Sequence, residues 1–322
     1  MTNLAEKVRR SVRPRREPPT PLTAPWLYAS PMRQYDAIQT PAGPVRYVPP
    51  RSEVPGRPGT YPPGPAGPRV PRRKRAPERQ ALAYYPRHHA PEHPRRWEFP
   101  AYLDNPACAW LGALKRLYAD PLAFPSSLSP EAGLLVHALV RNLRPRVVIE
   151  TGTFLGVSTI WMAAALKENG DAGVVHTFDY FGPIEKGPYR DAELKEDRIG
   201  RVAESIARAG LAEHAVLHRG NTAFEIRAAH AELRAAGGVQ LAFLDADHGV
   251  WGVLQDFWAT EEVLQTGGLV LLHDTFPDLC GGHAGGRHLL DTANRVGAGL
   301  YEKVDLYLSP MNYGMGLLRR VG

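Results

Sequence analysis

From Pro106 onward, apolar residues recur at helical spacing, with Ala109, Trp110, Leu111, Leu114, Leu117 and Tyr118 forming the first such set. Ser129-Pro130-Glu131 then opens a second helix that runs to about Asn142, a serine cap followed by proline in the first turn. After Pro145, short apolar runs of strand type alternate with helical segments. The strand-like runs are Val147 to Glu150, Val174 to Tyr180, Ala215 to His218, Val239 to Asp245 and Leu269 to His273. The helical segments are Thr159 to Lys167, Asp191 to Ala209, Phe224 to Ala236, Val250 to Leu264 and His288 to Val296. This alternation predicts an α/β fold, a parallel sheet with helices on both faces. The end breaks the rhythm: Val304 to Leu308 and Met315 to Arg319 flank Ser309-Pro310-Met311-Asn312-Tyr313-Gly314 and read as an antiparallel pair.

Residues 1–100 carry no sustained period of either kind, and 22 of the 31 prolines fall there. They read as an extended or irregular arm, with the domain proper beginning at residue 101. The arm holds 19 Lys and Arg against 7 Asp and Glu, a charge of +12, whereas the remainder holds 20 against 26, a charge of −6. Arg69-Val70-Pro71-Arg72-Arg73-Lys74-Arg75 is its most basic piece. Trp26, Tyr28, Tyr35, Tyr47, Tyr61, Tyr84 and Tyr85 give it apolar anchors that solvated linkers lack. Such an arm is expected to pack on its own or a neighbouring subunit of a homo-oligomer; the other reading of its charge is a contact with a polyanion such as nucleic acid.

Cys108 and Cys280 are the only cysteines and give no disulfide framework, which favours a reducing cytoplasm. No apolar run is long enough for a membrane span, and the arginine-rich opening lacks the apolar stretch of a secretory signal.

The first strand of the alternating region runs into Glu150-Thr151-Gly152-Thr153-Phe154-Leu155-Gly156-Val157-Ser158. In a doubly wound sheet this turn lies at the carboxyl ends of the strands, where ligands bind, and glycine lets a ligand approach the backbone. Only Gly152 and Gly156 fit a dinucleotide frame, so a pyrophosphate is disfavoured. An acid before the glycines suits an ammonium group, and the helix start near Ser158 suits a carboxylate. Together they describe the amino-acid end of a ligand. Asp179 closes the next strand, placed to accept two ribose hydroxyls, with Tyr180 or Phe181 beside it to cover an adenine face.

These segments resemble the class I S-adenosylmethionine-dependent methyltransferases, in the branch of the catechol and caffeoyl-CoA O-methyltransferases and related natural-product sugar methyltransferases. The resemblance covers roughly residues 105–322. Glu150-x-Gly152-x-x-x-Gly156-x-Ser158 is similar to the methyl-donor loop, and Leu244-Asp245-Ala246-Asp247-His248 to the motif after strand four. Leu272-His273-Asp274-Thr275 is similar to the strand-five motif, and Gly314-Met315-Gly316-Leu317-Leu318 to the closing strand. It implies a Rossmann-like, seven-stranded sheet with an antiparallel last strand. It also implies donor contacts from Glu150, Gly152, Gly156, Ser158, Asp179, Tyr180, Asn221 and Asp245.

In metal-dependent members the strand-four aspartate and a strand-five acidic pair hold Mg²⁺, which implies Asp245 and Asp274 here, with Thr275 as a weak third oxygen. Members usually have asparagine after the strand-five aspartate or an acid before it; this chain has Thr275 and His273, and the histidine better suits a transition metal. Metal assistance is left open at this point.

Transfer to a hydroxyl needs something to take its proton. His248, at the start of the following helix, is the candidate general base, with Asp245 beside it. Asp247 reads as a cap, and Trp251, Phe257 and Trp258 read as core. His88, His89 and His93 read as solvated, while Arg287 and His288 border the expected acceptor pocket with His283. Gly285-Gly286 reads as a mobile loop there. The expected activity is O-methylation of a small molecule; the competing one is an RNA or protein methyltransferase that grips its substrate with the arm. The acceptor pocket is expected from segments 181–192 and 276–288.

Overall fold

The computed structural model describes residues 35–50, 97–170, 172–186, 192–277, 283–306 and 313–322. Most of the arm lies outside them, including the basic stretch at 69–75, Trp26, Tyr61, Tyr84, Tyr85 and the histidines at 88, 89 and 93. So do Cys280, the 309–312 turn and parts of both segments expected to shape the acceptor pocket.

The sheet is built around β3 (Val147–Thr151), whose five residues are all buried. Parallel to it on one side runs β4 (Val174–Asp179), followed by β5 (Ala215–Arg219); on the other side lie β6 (Val239–Leu244) and β7 (Leu264–His273). β9 (Met315–Arg320) inserts antiparallel between β7 and the edge strand β8 (Tyr301–Leu306). The parallel core and antiparallel ending are as expected.

The strand count differs from the expectation. Two short strands, β1 (Asp36–Ile38) and β2 (Val45–Val48), extend the sheet beyond β5, which makes it nine-stranded in the order β1-β2-β5-β4-β3-β6-β7-β9-β8. Both come from residues read as arm. Three- and four-residue strands are too short to show a period, so pairing reveals them where pattern does not. β2 runs parallel to β5 and buries Val45 and Val48, while the Tyr35 hydroxyl donates to Glu232 and the Arg46 guanidinium lies over the Tyr35 ring, 5.7 Å from its centroid.

Successive strand residues face opposite sides, and this divides the core. Val148, Val175, Leu241, Phe243 and Leu271 face α1 (Ala109–Ala119), α2 (Pro130–Leu143), α3 (Val157–Asn169) and α4 (Ile199–Arg208). Val147, Ile149, Ala242, Leu244 and Leu272 face α5 (Thr222–Ala235), α6 (Val250–Glu261) and α7 (Gly285–Val296). Ser129 caps α2 by accepting from the Ala132 amide, and the buried Tyr118 hydroxyl ties α1 to α3 by accepting from the Trp161 indole at 2.9 Å. Among the described residues no helix is long and apolar enough to cross a membrane.

Two element boundaries move. α4 starts at Ile199 rather than near Asp191, because Leu194 pairs in extended form with Ile184 and Arg198 is drawn to the strand tips. β7 starts at Leu264, the residue read as the end of a helix, rather than at Leu269. Phe257 is core as expected, whereas Trp258 is partly buried and packs against the core, its indole donating to the Val296 carbonyl at 2.8 Å.

The β2 edge gives a test of the added strands. Val45 is fully buried against the sheet, so Val45→Ala is expected to lower stability by about 2 kcal/mol in urea unfolding. An unchanged midpoint means the hairpin contributes nothing to the fold.

Candidate active site

The tips of β3, β4, β6 and β7 bring the site together. At the β3 tip, Gly152 takes φ of 86°, and a Cβ there would lie 2.2 Å from the Asp245 carbonyl oxygen. Glycine is needed both for the turn and for this close approach. Gly156 caps α3 in the left-handed region, also a conformation that favours glycine.

Glu150 is fully buried beneath the loop and turned toward α3, where the Thr159 hydroxyl donates to its Oε2. Its Oε1 has no hydrogen-bond partner among the described residues. Burial pushes the carboxyl up to about 7, against the hydroxyls of Ser158, Thr159 and Thr177, which favour the charged form. Asp179 accepts from the Phe154 amide at 2.9 Å and the Phe181 amide at 2.7 Å. It also forms an ion pair with Arg198 at 2.5 Å, both side chains being nearly buried. The carboxylate expected to face ribose is thus already held by three protein donors. Arg198 was not singled out in the sequence, since nothing local marks one arginine before a helix. Phe181 belongs to the core, so Tyr180 is the aromatic left at the surface; its hydroxyl receives the Asn221 amide at 3.4 Å, and Asn221 caps α5.

The second group of residues centres on Asp274, which follows β7 with φ of 56°. His273 Nδ1 lies 3.2 Å from Asp245 and 3.2 Å from Asp274. The other Asp274 oxygen faces His248 Nδ1 at 3.0 Å and His283 Nδ1 at 3.3 Å. Burial alone would raise the Asp274 pKa; the His273 charge and hydrogen bonds from the three histidines hold it well below the carboxylate range. For His273 burial also opposes charge, and the two carboxylates outweigh it, so its pKa is raised well above the ordinary value. His248 follows the same balance and is raised, with Asp274 supplying most of the lift.

Several expectations are placed by these contacts. Asp247 accepts from the Gly249 amide at 2.7 Å and is a local cap, as read. Thr275 Oγ1 is buried without a hydrogen-bond partner among the described residues, 2.7 Å from where a Cβ on Gly314 would sit. Gly285 and Gly286 are not a loose loop. They open α7, and the Gly285 amide donates to the His248 carbonyl at 3.0 Å, while a Cβ on Gly286 would meet the His273 carbonyl at 2.3 Å. Arg287 is committed to Asp291 and Asp305. Asp256 was missed: it is buried on α6, accepts from Thr222 beside Asn221, and is pushed up to about 7 by burial.

Residues 149–275 match the family model described as a methyltransferase domain. The stretch from β3 to the residues just after β7 is thus similar to a methyltransferase domain. Every residue expected to contact the donor lies between these bounds, as do His248 and Asp274. Among solved structures, the chain is similar to the O-methyltransferase TomG from Streptomyces achromogenes, involved in tomaymycin synthesis and solved with SAM. The identity is 21%, over 66% of this chain and 90% of that one, with a TM-score of 0.47. It is also similar to an O-methyltransferase from Bacillus cereus in complex with SAH, at 17% identity over 66% of this chain and 90% of that one, with a TM-score of 0.48.

The strand-tip cluster offers Mg²⁺ a poor set of donors. Two triads, Asp245-His273-Asp274 and His248-Asp274-His283, place their donor atoms within 4.8 Å of one another. Each contains imidazole nitrogen, which Mg²⁺ avoids. No chemical step is therefore drawn through magnesium.

Glu150 yields a prediction for stability. Its raised pKa means that the folded chain holds its proton where the unfolded chain has lost it, so this stabilisation is complete below the ordinary carboxylate range and is lost as pH climbs to about 7. At pH 8 ligand-free Glu150→Gln should exceed wild type by roughly 3 kcal/mol in urea unfolding, with little difference at pH 4. Equal stability at pH 8 would show that Glu150 carries its charge at no cost.

Proposed function

We propose that the methyltransferase domain transfers the methyl group of S-adenosylmethionine to a hydroxyl oxygen of a small molecule. The observation that carries this reading is the His248–Asp274 pair at the strand tips, next to the glycine loop and the buried Glu150. The donor supplies a sulfonium-bound methyl group. The ends of the donor suit what surrounds the loop: Glu150 for its ammonium, the start of α3 near Ser158 for its carboxylate, and Asp179 for its ribose, with Arg198 released or shared. Tyr180 and Asn221 then border the base.

In the reaction the acceptor oxygen forms a bond to the methyl carbon while the carbon–sulfur bond breaks and its electron pair stays on sulfur. His248 donates through Nδ1 to Asp274, which fixes its tautomer and leaves Nε2 as the proton acceptor. The adjacent carboxylate stabilises the imidazolium that forms, and Asp245 adds to that field. The same reading places the protein in the cytoplasm, with the +12 arm packed on the −6 remainder of its own or a neighbouring copy. The β1–β2 hairpin supports this, since part of the arm already extends the sheet.

Calorimetry should show binding of S-adenosylmethionine or its demethylated product, weakened by about 1–3 kcal/mol in Asp179→Ala. Labelled-methyl transfer into cell-extract small molecules should fall roughly 10²–10⁴-fold in His248→Ala. Its acid limb should lie above the ordinary histidine pKa, because the base works unprotonated and Asp274 favours its protonated form. Failure to bind either donor form sinks the reading; label found in RNA or protein assigns a different acceptor.

Chelation gives an independent check on the metal. Turnover should survive excess chelator, and added Mg²⁺ should not raise it. Loss on chelation and recovery with Mg²⁺ would restore the oxygen-ligated site at Asp245 and Asp274.

A further inference from the structure

The proposed base has a second imidazole laid against it. His248 and His283 stack with ring centroids 4.6 Å apart and planes 2° from parallel. Both direct Nδ1 at the same oxygen of Asp274, at 3.0 Å and 3.3 Å. These three groups invite a second explanation, a cation chelated by two imidazoles and a carboxylate. The ring geometry decides against it. An imidazole binds a metal through a lone pair in its own plane, and two stacked rings whose planes are parallel and separate keep those lone pairs in planes that share no point. Two N–H donors meeting one carboxylate oxygen need no such convergence, because that oxygen accepts over a broad range of directions.

The delivery of His283 is also built into the backbone. It stands just ahead of α7, whose first residue donates from the Gly285 amide to the carbonyl of His248 itself. A Cβ on Gly285 would lie 2.7 Å from the Gly249 carbonyl, so the close docking of α7 depends on that glycine. The two rings are therefore held at both ends, through a shared carboxylate and through main chain. A hydrogen bond at one nitrogen leaves an imidazole free to tilt about that bond, and a face contact removes the freedom. His248 needs it removed, since its side chain is 37% exposed and its other contacts, to Asp274 with Asp245 and His273 behind, all lie toward the strand tips.

We propose that His283 is a positioning residue for His248, holding the ring face of the base through the stack and the shared Asp274 oxygen. The inference rests on the reading of His248 as the base. No role was assigned to His283 beyond bordering a pocket, and its ring is half exposed, so it is not a core residue in disguise.

The test compares His283→Ala, His283→Phe and His283→Asn in the full chain. Labelled S-adenosylmethionine and the acceptor fraction of cell extract report the rate; calorimetry with the demethylated donor reports donor binding. Alanine should lower the maximal rate on the order of tenfold with donor affinity and half-saturating acceptor unchanged, as expected of a misplaced group. Phenylalanine keeps a ring face and should restore most of the rate, whereas asparagine keeps a hydrogen-bonding group and should not. A wild-type rate in His283→Ala, a raised acceptor requirement at unchanged maximal rate, or phenylalanine as slow as alanine would each overturn the proposal. Imidazole NMR of His248 at fixed pH separates this from the functional reading: its ring signals should broaden in the alanine variant and stay sharp in the phenylalanine variant even if no acceptor is ever methylated. Unbroadened signals in His283→Ala overturn the positioning role, and failure of wild type to bind donor overturns the methyltransfer reading alone.

Discussion

The site exists because the β3 turn lies directly against the β6 tip. At Gly152 the space that a side chain would fill is occupied by the carbonyl of Asp245, and the Asp245 amide in turn donates to the Thr151 carbonyl at 3.0 Å. This single close approach joins the two halves of the chemistry. On one side stands the loop with Glu150 beneath it, and on the other the carboxylates and histidines of β6 and β7. Asp256 reinforces the junction from below, reaching Thr222 at the start of α5 and the hydroxyl of Thr151 on the strand itself. A larger residue at 152 would part the strands there and move every group that depends on their tips.

The same tips concentrate charge in a place with little water. Asp274 and Asp245 would repel one another if left alone, and His273 between them answers both. The consequence is chemical as well as structural. A buried histidine held between carboxylates is a fixed counter-charge, so Asp274 stays ionised and is available to orient a second histidine at the surface. The base is then the outermost member of a chain of partners that begins in the core.

The β1–β2 hairpin changes how the arm is understood. Its residues look like the rest of a proline-rich, basic segment, yet Val45 and Val48 complete the sheet beyond β5. The Tyr35 hydroxyl ties the hairpin to the Glu232 carboxylate on α5, and Arg46 donates to the main-chain carbonyl of Glu213 in the turn before β5. The Arg46 charge is also attracted by the Glu213 and Glu232 carboxylates, the arrangement that the opposite charges of the two parts favour.

Sequence by itself determined the repeating strand and helix order, the antiparallel ending, the glycine loop and the acids at the strand tips. Each of these is written locally: periodicity marks an element, glycine marks a turn, and an acid after an apolar strand marks a tip. Asp247 as a cap and Phe257 as core were legible for the same reason. Tertiary structure alone decided the groups that meet from distant positions. Arg198 reaches Asp179, His283 comes to lie on His248, and two short strands of the arm find the edge of β5. A pairing between residues far apart in the chain leaves no period in either segment. It is set by how closely the backbones pack and where the remaining polar groups find partners, and those quantities exist only once the chain is folded.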